Sequence, residues 1–277
     1  MNFSLPQPVR LLAVFSLLIA PGFAAAELPR VVRSIDSGWT FLPGDVPHAE
    51  DPMFDDANWQ PVTVPHDWAI EGSPAANQPT GRGGGYRPSG VGWYRQRFTL
   101  PASAAGRRVV VEFDGVMAHS QVWINGQLVG GRPSGYVSFT CDLTGRVEVG
   151  DEKSNVLAVR TDTTDQPASR WYTGQGLYRH TRLMITDPVH LATSGVFVTT
   201  PKVEADRALV RVEATVENLG DHPRDVSVHV TLVDPEGREV ASGDTPGRSI
   251  AIGEARILTV ELAVARPQLW DLARGAL

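Results

Sequence analysis

Apolar residues recur at every second position in run after run of this chain, and no long stretch repeats with the 3.6-residue period of a helix. Segments patterned this way bury one face and wet the other, so the chain is committed to β-sheets. Tyr94–Leu100 and Val109–Phe113 read as strands. Gln121-Val-Trp-Ile124 and Gln127-Leu-Val129 flank Asn125-Gly126, the pair that suits a two-residue hairpin turn because both positions tolerate positive φ. Asn155–Arg160 and Tyr178–Ile185 continue the pattern. Glycine and proline, 27 and 21 copies, interrupt it throughout, and many short strands with such turns predict a sandwich.

Asp187-Pro188 marks a change of style. Beyond it aromatics thin out and the alternation becomes cleaner. In Val210-Arg-Val-Glu-Ala-Thr-Val-Glu217 the small apolar residues face one way and the charged ones the other. Val226–Leu232 and Leu258–Val264 repeat the design, with Asp234-Pro-Glu-Gly237 as a turn between strands. The expected architecture is all-β: a jelly-roll, galactose-binding-like sandwich over residues 27–187, then an immunoglobulin-like sandwich over 188–277. About six strands fit in the second, so it is expected to be incomplete and to leave an open edge.

The 277 residues leave room for one large or two smaller β domains, and fall well short of a barrel of ~250 residues plus two accessory domains. A net charge of −6 disfavours nucleic acid and anionic lipid as partners, since both are met with clustered Lys and Arg. At the start, Arg10 precedes the apolar run Leu11–Ala20 and the small residues Ala24-Ala25-Ala26. This reads as an export signal over residues 1–26, cleaved after Ala26, because some ten apolar residues are too few to span a bilayer. The mature protein is therefore expected in the periplasm or outside the cell, with no membrane attachment. The single cysteine, Cys141, excludes an intrachain disulfide and reads as a small buried hydrophobe.

Chemistry concentrates in aromatics and arginines. Trp68, Tyr86, Trp93, Tyr94, Trp171 and Tyr172 fall in segments rich in Gly, Pro and Asp, which suggests loops. A pyranose packs its apolar C–H face on an aromatic ring, while its hydroxyls need hydrogen-bond partners that an arginine can supply. Each aromatic taken alone is better read as filling the core of a sandwich. Arg170-Trp171 differs, because a core strand would not begin with Arg-Trp-Tyr-Thr-Gly.

Six segments then align in order: Pro65-His-Asp-Trp68, Gly90-Val-Gly-Trp-Tyr-Arg95, Phe113-Asp-Gly115, Val122-Trp-Ile-Asn-Gly126, Gly135-Tyr136, and Ser169-Arg-Trp-Tyr-Thr-Gly-Gln-Gly-Leu-Tyr-Arg179. Together they resemble the sugar-binding domain of glycoside hydrolase family 2, the β-galactosidase family. The resemblance implies a jelly roll packed against a catalytic barrel and lending loop residues to the rim of the substrate pocket. It carries substrate contact to Arg170 and Trp171. Some relatives hold a cation with an Asp two residues before this Trp; Ser169 stands there, so no metal site is assigned.

The resemblance further implies retaining hydrolysis by two carboxylates. The family's acid/base Glu follows an Asn, and the chain has no Asn-Glu pair. No catalytic residue is assigned, and no cofactor. Gly81-Arg-Gly-Gly-Gly85 lacks the Gly-Lys-Ser/Thr of a phosphate loop and reads as a flexible loop at the binding face, and the seven His lack metal-ligand spacing. The expected function is the non-catalytic front portion of an exported β-galactosidase-like glycosidase, inactive alone, whose partners are a β-galactoside-like carbohydrate and a missing or separately encoded barrel. The alternative is a stand-alone carbohydrate-binding or lectin-like exported protein. The first expects an exposed apolar face where a barrel docks, the second a polar one.

Overall fold

The computed structural model describes residues 29–165 and 169–270, so the expected export signal lies outside the described residues. The fold is all-β. Ten strands come first: β1 (Arg30–Ser34), β2 (Trp39–Pro43), β3 (Gln60–Val62), β4 (Val91–Leu100), β5 (Arg108–Phe113), β6 (Ser120–Ile124), β7 (Gln127–Arg132), β8 (Phe139–Asp142), β9 (Gly150–Asp162) and β10 (Thr181–Thr186). They form a four-stranded sheet in the order β1-β10-β5-β8 and a six-stranded sheet in the order β3-β2-β4-β9-β6-β7. All their pairings are antiparallel.

The period-two pattern explains the layering. In the four-stranded sheet Val109, Val111, Phe113, Leu183 and Ile185 point inward; in the six-stranded sheet Trp39, Phe41, Tyr94, Phe98, Val122, Ile124, Leu157 and Val159 meet them. Each such side chain contributes on the order of 1.5–3 kcal/mol by burial. The six-stranded sheet is also covered on its outer face. There Trp93 stacks on Trp123 at 5.1 Å, and the connection between β2 and β3 folds over them with Ala49, Phe54 and Trp59. Under this flap Arg95 is fully buried, and its Nε lies 3.2 Å from Asp56, which also receives Arg97 at 2.6 Å. A buried guanidinium is tolerable only with such a partner.

Asn125 and Gly126 both take positive φ, 49° and 80°, in the β6–β7 turn, as their chemistry demands. Cys141 is buried on β8, and burial pushes its thiol up to about 12.

β11 (Val189–Val203) follows β10 after two residues. Then come β12 (Arg207–Asn218), β13 (Arg224–Val226), β14 (His229–Val233), β15 (Glu239–Asp244), β16 (Arg248–Ile250) and β17 (Ala255–Ala265). β11-β12-β17 form one sheet, while β13-β16 and β14-β15 pair separately. Seven strands are thus described, one more than the spacing predicts. Val226–Leu232 is not one strand: it breaks at Ser227-Val228, and the Val228 amide bonds to Thr245 Oγ1 instead of continuing a ladder. Its two halves pair with different partners, which alternation alone does not register. At the junction of the two halves of the chain Arg108 of β5 donates to His190 Nε2 (3.0 Å), and Glu217 of β12 lies 3.2 Å from the same nitrogen. Among the described residues no helix is long and apolar enough to cross a membrane.

Candidate functional site

The segments carrying Trp68, Tyr86, Arg170 and Trp171 leave the sandwich near one end of the β4–β9 pair. That end is tied by two backbone-directed contacts: Thr163 N donates to Gly90 O (2.9 Å) and Gly90 N to Thr163 Oγ1 (3.1 Å). From here the chain runs outward on one side through residues 65–90 and on the other through 163–180.

Asp67 joins the two. It caps the short 3-10 turn Trp68–Ile70 by accepting from Ala69 N (3.3 Å). Its carboxylate also accepts the Tyr172 hydroxyl, at 2.6 and 2.7 Å from its two oxygens, and the Gln175 amide at 3.1 Å. A carboxylate in this setting needs donors, and two loops supply three of them. The Tyr172 hydroxyl is held well above its ordinary pKa, first by burial and then by the Asp67 carboxylate that needs its proton.

The second brace is Gln175, which is buried. Its amide nitrogen donates to Pro88 O and its Oε1 accepts from Thr163 Oγ1 at 2.7 Å. The third is Gly176, whose N and O exchange bonds with Met117 at 2.7 and 3.0 Å. Only glycine fits there: φ is +84°, and a Cβ would stand 2.0 Å from Tyr94 Oη. Behind it runs a chain of contacts, buried at Tyr94 and His66 and open to solvent at Glu71: Tyr94 Oη lies 2.8 Å from His66 Nδ1, and His66 Nε2 lies 3.0 Å from Glu71.

On this frame Arg170 and Trp171 stand out in solvent, Trp171 with 64% of its surface exposed. No hydrogen bond or ion pair ties the Arg170 guanidinium to another described residue. Ser169 Oγ donates to Trp171 O (2.8 Å) and so is spent within the loop. The Gly81–Gly85 segment lies alongside, since a Cβ on Gly83 would reach Ser169 O at 3.4 Å. It is more ordered than its glycines suggest. Gly84 N bonds to Thr80 O, Tyr86 N to Gly81 O, and Thr80 Oγ1 to Arg87 O, winding it into a compact set of turns.

The aromatics divide. Trp93 and Tyr94 are not in loops: both lie on β4 and are buried, one on each face of the six-stranded sheet. The Gly and Pro around them belong to the preceding loop, not to the strand. Trp68 is buried against Phe41, whereas Tyr86 and Trp171 are exposed. Asp67 is the residue that sequence reasoning passed over. It stands inside Pro65-His-Asp-Trp68, but nothing local reveals a bond made 105 residues away. Among the described residues no group of three or more His, Cys, Asp or Glu could hold a metal ion.

With this geometry in view, the comparisons define the class: a β-sandwich sugar-binding unit followed by an immunoglobulin-like one. The family model for the sugar binding domain of glycosyl hydrolases family 2 matches residues 32–188, and a second model of that family matches 189–277. The chain belongs to glycosyl hydrolases family 2. It is 43% identical over 244 residues to the β-galactosidase BoGH2A of Bacteroides ovatus, a match covering 88% of this chain and 28% of that protein. It is 32% identical over 245 residues to a putative β-glucuronidase of Formosa agariphila, covering 88% and 22%. A family 2 member from Bacteroides cellulosilyticus superposes with a TM-score of 0.80 at 34% identity, over 87% of this chain and 32% of that one. The chain thus corresponds to less than a third of the length of these relatives.

Proposed function

We propose that the chain is the non-catalytic, sugar-contacting front portion of an exported β-galactosidase-like glycoside hydrolase, with Arg170 and Trp171 touching the sugar. The observation that carries this reading is the contrast within one loop. Tyr172 and Gln175 are fixed from behind by Asp67, Pro88 and Thr163, while the two preceding residues are held out with their polar and aromatic groups unspent. An exposed aromatic face next to a free five-donor fork matches a pyranose and its hydroxyls. The hydrolase class is supported by the relatives' names. Export is supported by the charged, apolar and Ala-rich leader.

Ile70, Tyr86 and Trp171, exposed on neighbouring loops, favour a surface that meets a further protein domain over the polar rim of a self-standing lectin. No acid or nucleophile is proposed here. Asp67, the carboxylate at the centre of the site, is consumed by Tyr172 and two backbone amides and is not free to move protons.

The test places this chain ahead of a family 2 catalytic domain. Arg170→Ala is expected to lower kcat/KM by an amount worth about 1.5–3 kcal/mol, the value of a hydrogen bond involving a charge. An unchanged kcat/KM would remove Arg170 from the site. The 277-residue chain by itself is expected to turn over no aryl β-galactoside, and turnover that survives repurification would overturn the non-catalytic assignment.

A further inference from the structure

A concavity holding about 730 Å³ opens on the sandwich between the Gly135–Ser138 loop and the start of β10. Its walls are Tyr136, Val137, Tyr178 and Arg179, with Pro65 and Asp114 beside them. Arg170, Trp171 and the Asp67 cluster do not line it. The ring of Tyr178 stands toward the backbone of Gly174, where a Cβ would come within 3.7 Å of it.

The surface is built rather than incidental. Tyr178 Oη donates to Gly135 O at 2.8 Å and fixes the loop. Gly115 and Gly135 keep it flush: a Cβ on Gly115 would lie 2.9 Å from Gly135 O and 3.1 Å from Tyr178 Oη, and one on Gly135 would strike the Met117 side chain. Tyr136 is 53% exposed, and Val137 next to it is exposed as well, so an aromatic ring and an apolar neighbour face solvent together.

The charges around this groove are spent, with one exception. Asp114 takes Arg182 in a two-pronged pair at 2.6 and 2.8 Å, which holds its carboxyl below the usual range. His180 lies 2.8 Å from Asp36. Arg179 makes no hydrogen-bonded ion pair among the described residues, although its charge also helps to hold the nearby Asp114 carboxyl down. Its guanidinium sits over the Tyr178 ring, 5.4 Å from the centroid, and makes only a long 3.5 Å contact to the Asp114 carbonyl. The ring holds the guanidinium in place, and a guanidinium is a fork of donors matched to a carboxylate.

We propose that this groove binds a uronic acid residue within a carbohydrate chain, its ring against Tyr136 and its carboxylate on Arg179. A pyranose supplies the flat C–H face that an exposed tyrosine accommodates. A guanidinium whose fork is not taken up by a bidentate partner selects an acidic sugar over a neutral one, because bidentate carboxylate binding is the interaction an arginine fork makes best. The site is separate from the contact proposed for Arg170 and does not depend on it.

The test is an NMR titration of the protein with trigalacturonate, with galactotriose as the neutral counterpart. The acid should shift the amides of Tyr136, Val137, Tyr178 and Arg179, and galactotriose should bind far more weakly. Arg179→Ala should raise the Kd for trigalacturonate about tenfold, with Arg179→Lys in between because it keeps the charge and loses the fork. Raising NaCl from about 0.05 to about 0.5 M should weaken the wild type and leave Arg179→Ala nearly indifferent. Tyr136→Ala, at an exposed position, should weaken binding severalfold and serves as the second probe if the arginine variants fold poorly.

Absence of shifts in this groove, equal binding of the neutral sugar, or an unchanged Kd in Arg179→Ala would each overturn the proposal. Shifts confined to Arg170 and Trp171 would overturn it while leaving the rim contact standing.

Discussion

Replacing Gly176 by alanine should unseat the loop that carries Arg170 and Trp171, and the structure allows the cost to be worked out. Two terms add. A non-glycine residue at φ +84° costs about 1–2 kcal/mol. The new Cβ would lie 2.0 Å from Tyr94 Oη and 3.0 Å from Trp68 Cδ1, so the phenol must move and its bond to His66 breaks. Leaving a buried polar group unpaired there costs about 1–3 kcal/mol. The expected loss is therefore about 2–5 kcal/mol. Gly174 provides the control two residues away. Its φ of +80° carries the same conformational cost, but a Cβ there would meet nothing nearer than Asp67 Oδ2 at 3.4 Å. Gly174→Ala should thus lose only about 1–2 kcal/mol. Urea unfolding followed by tryptophan fluorescence measures both. Adding Tyr94→Phe to Gly176→Ala removes the oxygen that collides, so the double variant should be more stable than the sum of the single losses. Equal losses at the two glycines, or strict additivity with Tyr94→Phe, would refute the reasoning.

Asp56→Ala should destabilise the first sandwich by about 3–5 kcal/mol, because it strands the fully buried Arg95 without its counter-charge; denaturant unfolding measures this, and a loss below about 1 kcal/mol would contradict it. Burial would raise the Asp56 carboxyl, but hydrogen bonds from Arg97 and Thr40 and the charges of Arg97 and Arg95 outweigh it; at Asp114 the bond from Arg182 leads. Both carboxyls end below 3.8, so their stabilisation is full at neutral pH and is lost as pH falls through the depressed values. Acid unfolding should accordingly begin below about pH 4 and shift upward in Arg182→Ala, read by circular dichroism. Cys141 should resist thiol reagents in the native state at pH 8 and react on unfolding, since its thiol is buried and pushed up to about 12; fast native labelling would contradict its placement. N-terminal sequencing of exported protein should begin at Glu27, and a start at Met1 would end the proposal that the leader is cleaved after Ala26.

What the sequence made legible was whatever is encoded by near neighbours. Alternation located β4, β5, β9, β12 and β17, and Asn125-Gly126 announced its hairpin, because period and turn chemistry are properties of adjacent residues. The same logic failed where adjacency misleads. Val226–Leu232 alternates without interruption yet splits between two partners. β11 runs 15 residues but escaped notice, because its pairing with β12 shifts register twice and its alternation is broken there. The site was legible only in its exposed half. Arg170-Trp171 stood out as unsuited to a core, whereas Asp67, Gln175 and Gly176 act through contacts with residues 59 to 108 positions away. No local pattern reports such contacts.

Those same long separations govern when the rim comes into being. Asp67 meets Tyr172 across 105 residues, Gln175 reaches back 87 to Pro88, and Gly176 pairs with Met117. Each bond closes a large loop of chain and becomes favourable only once the sheets between them are in place. During synthesis the segment bearing Arg170 is among the last of its sandwich to emerge, and most of what it must dock on is already made. The rim is therefore a late product of folding, and an incompletely folded chain would present the arginine and the tryptophan without holding them in register for a sugar.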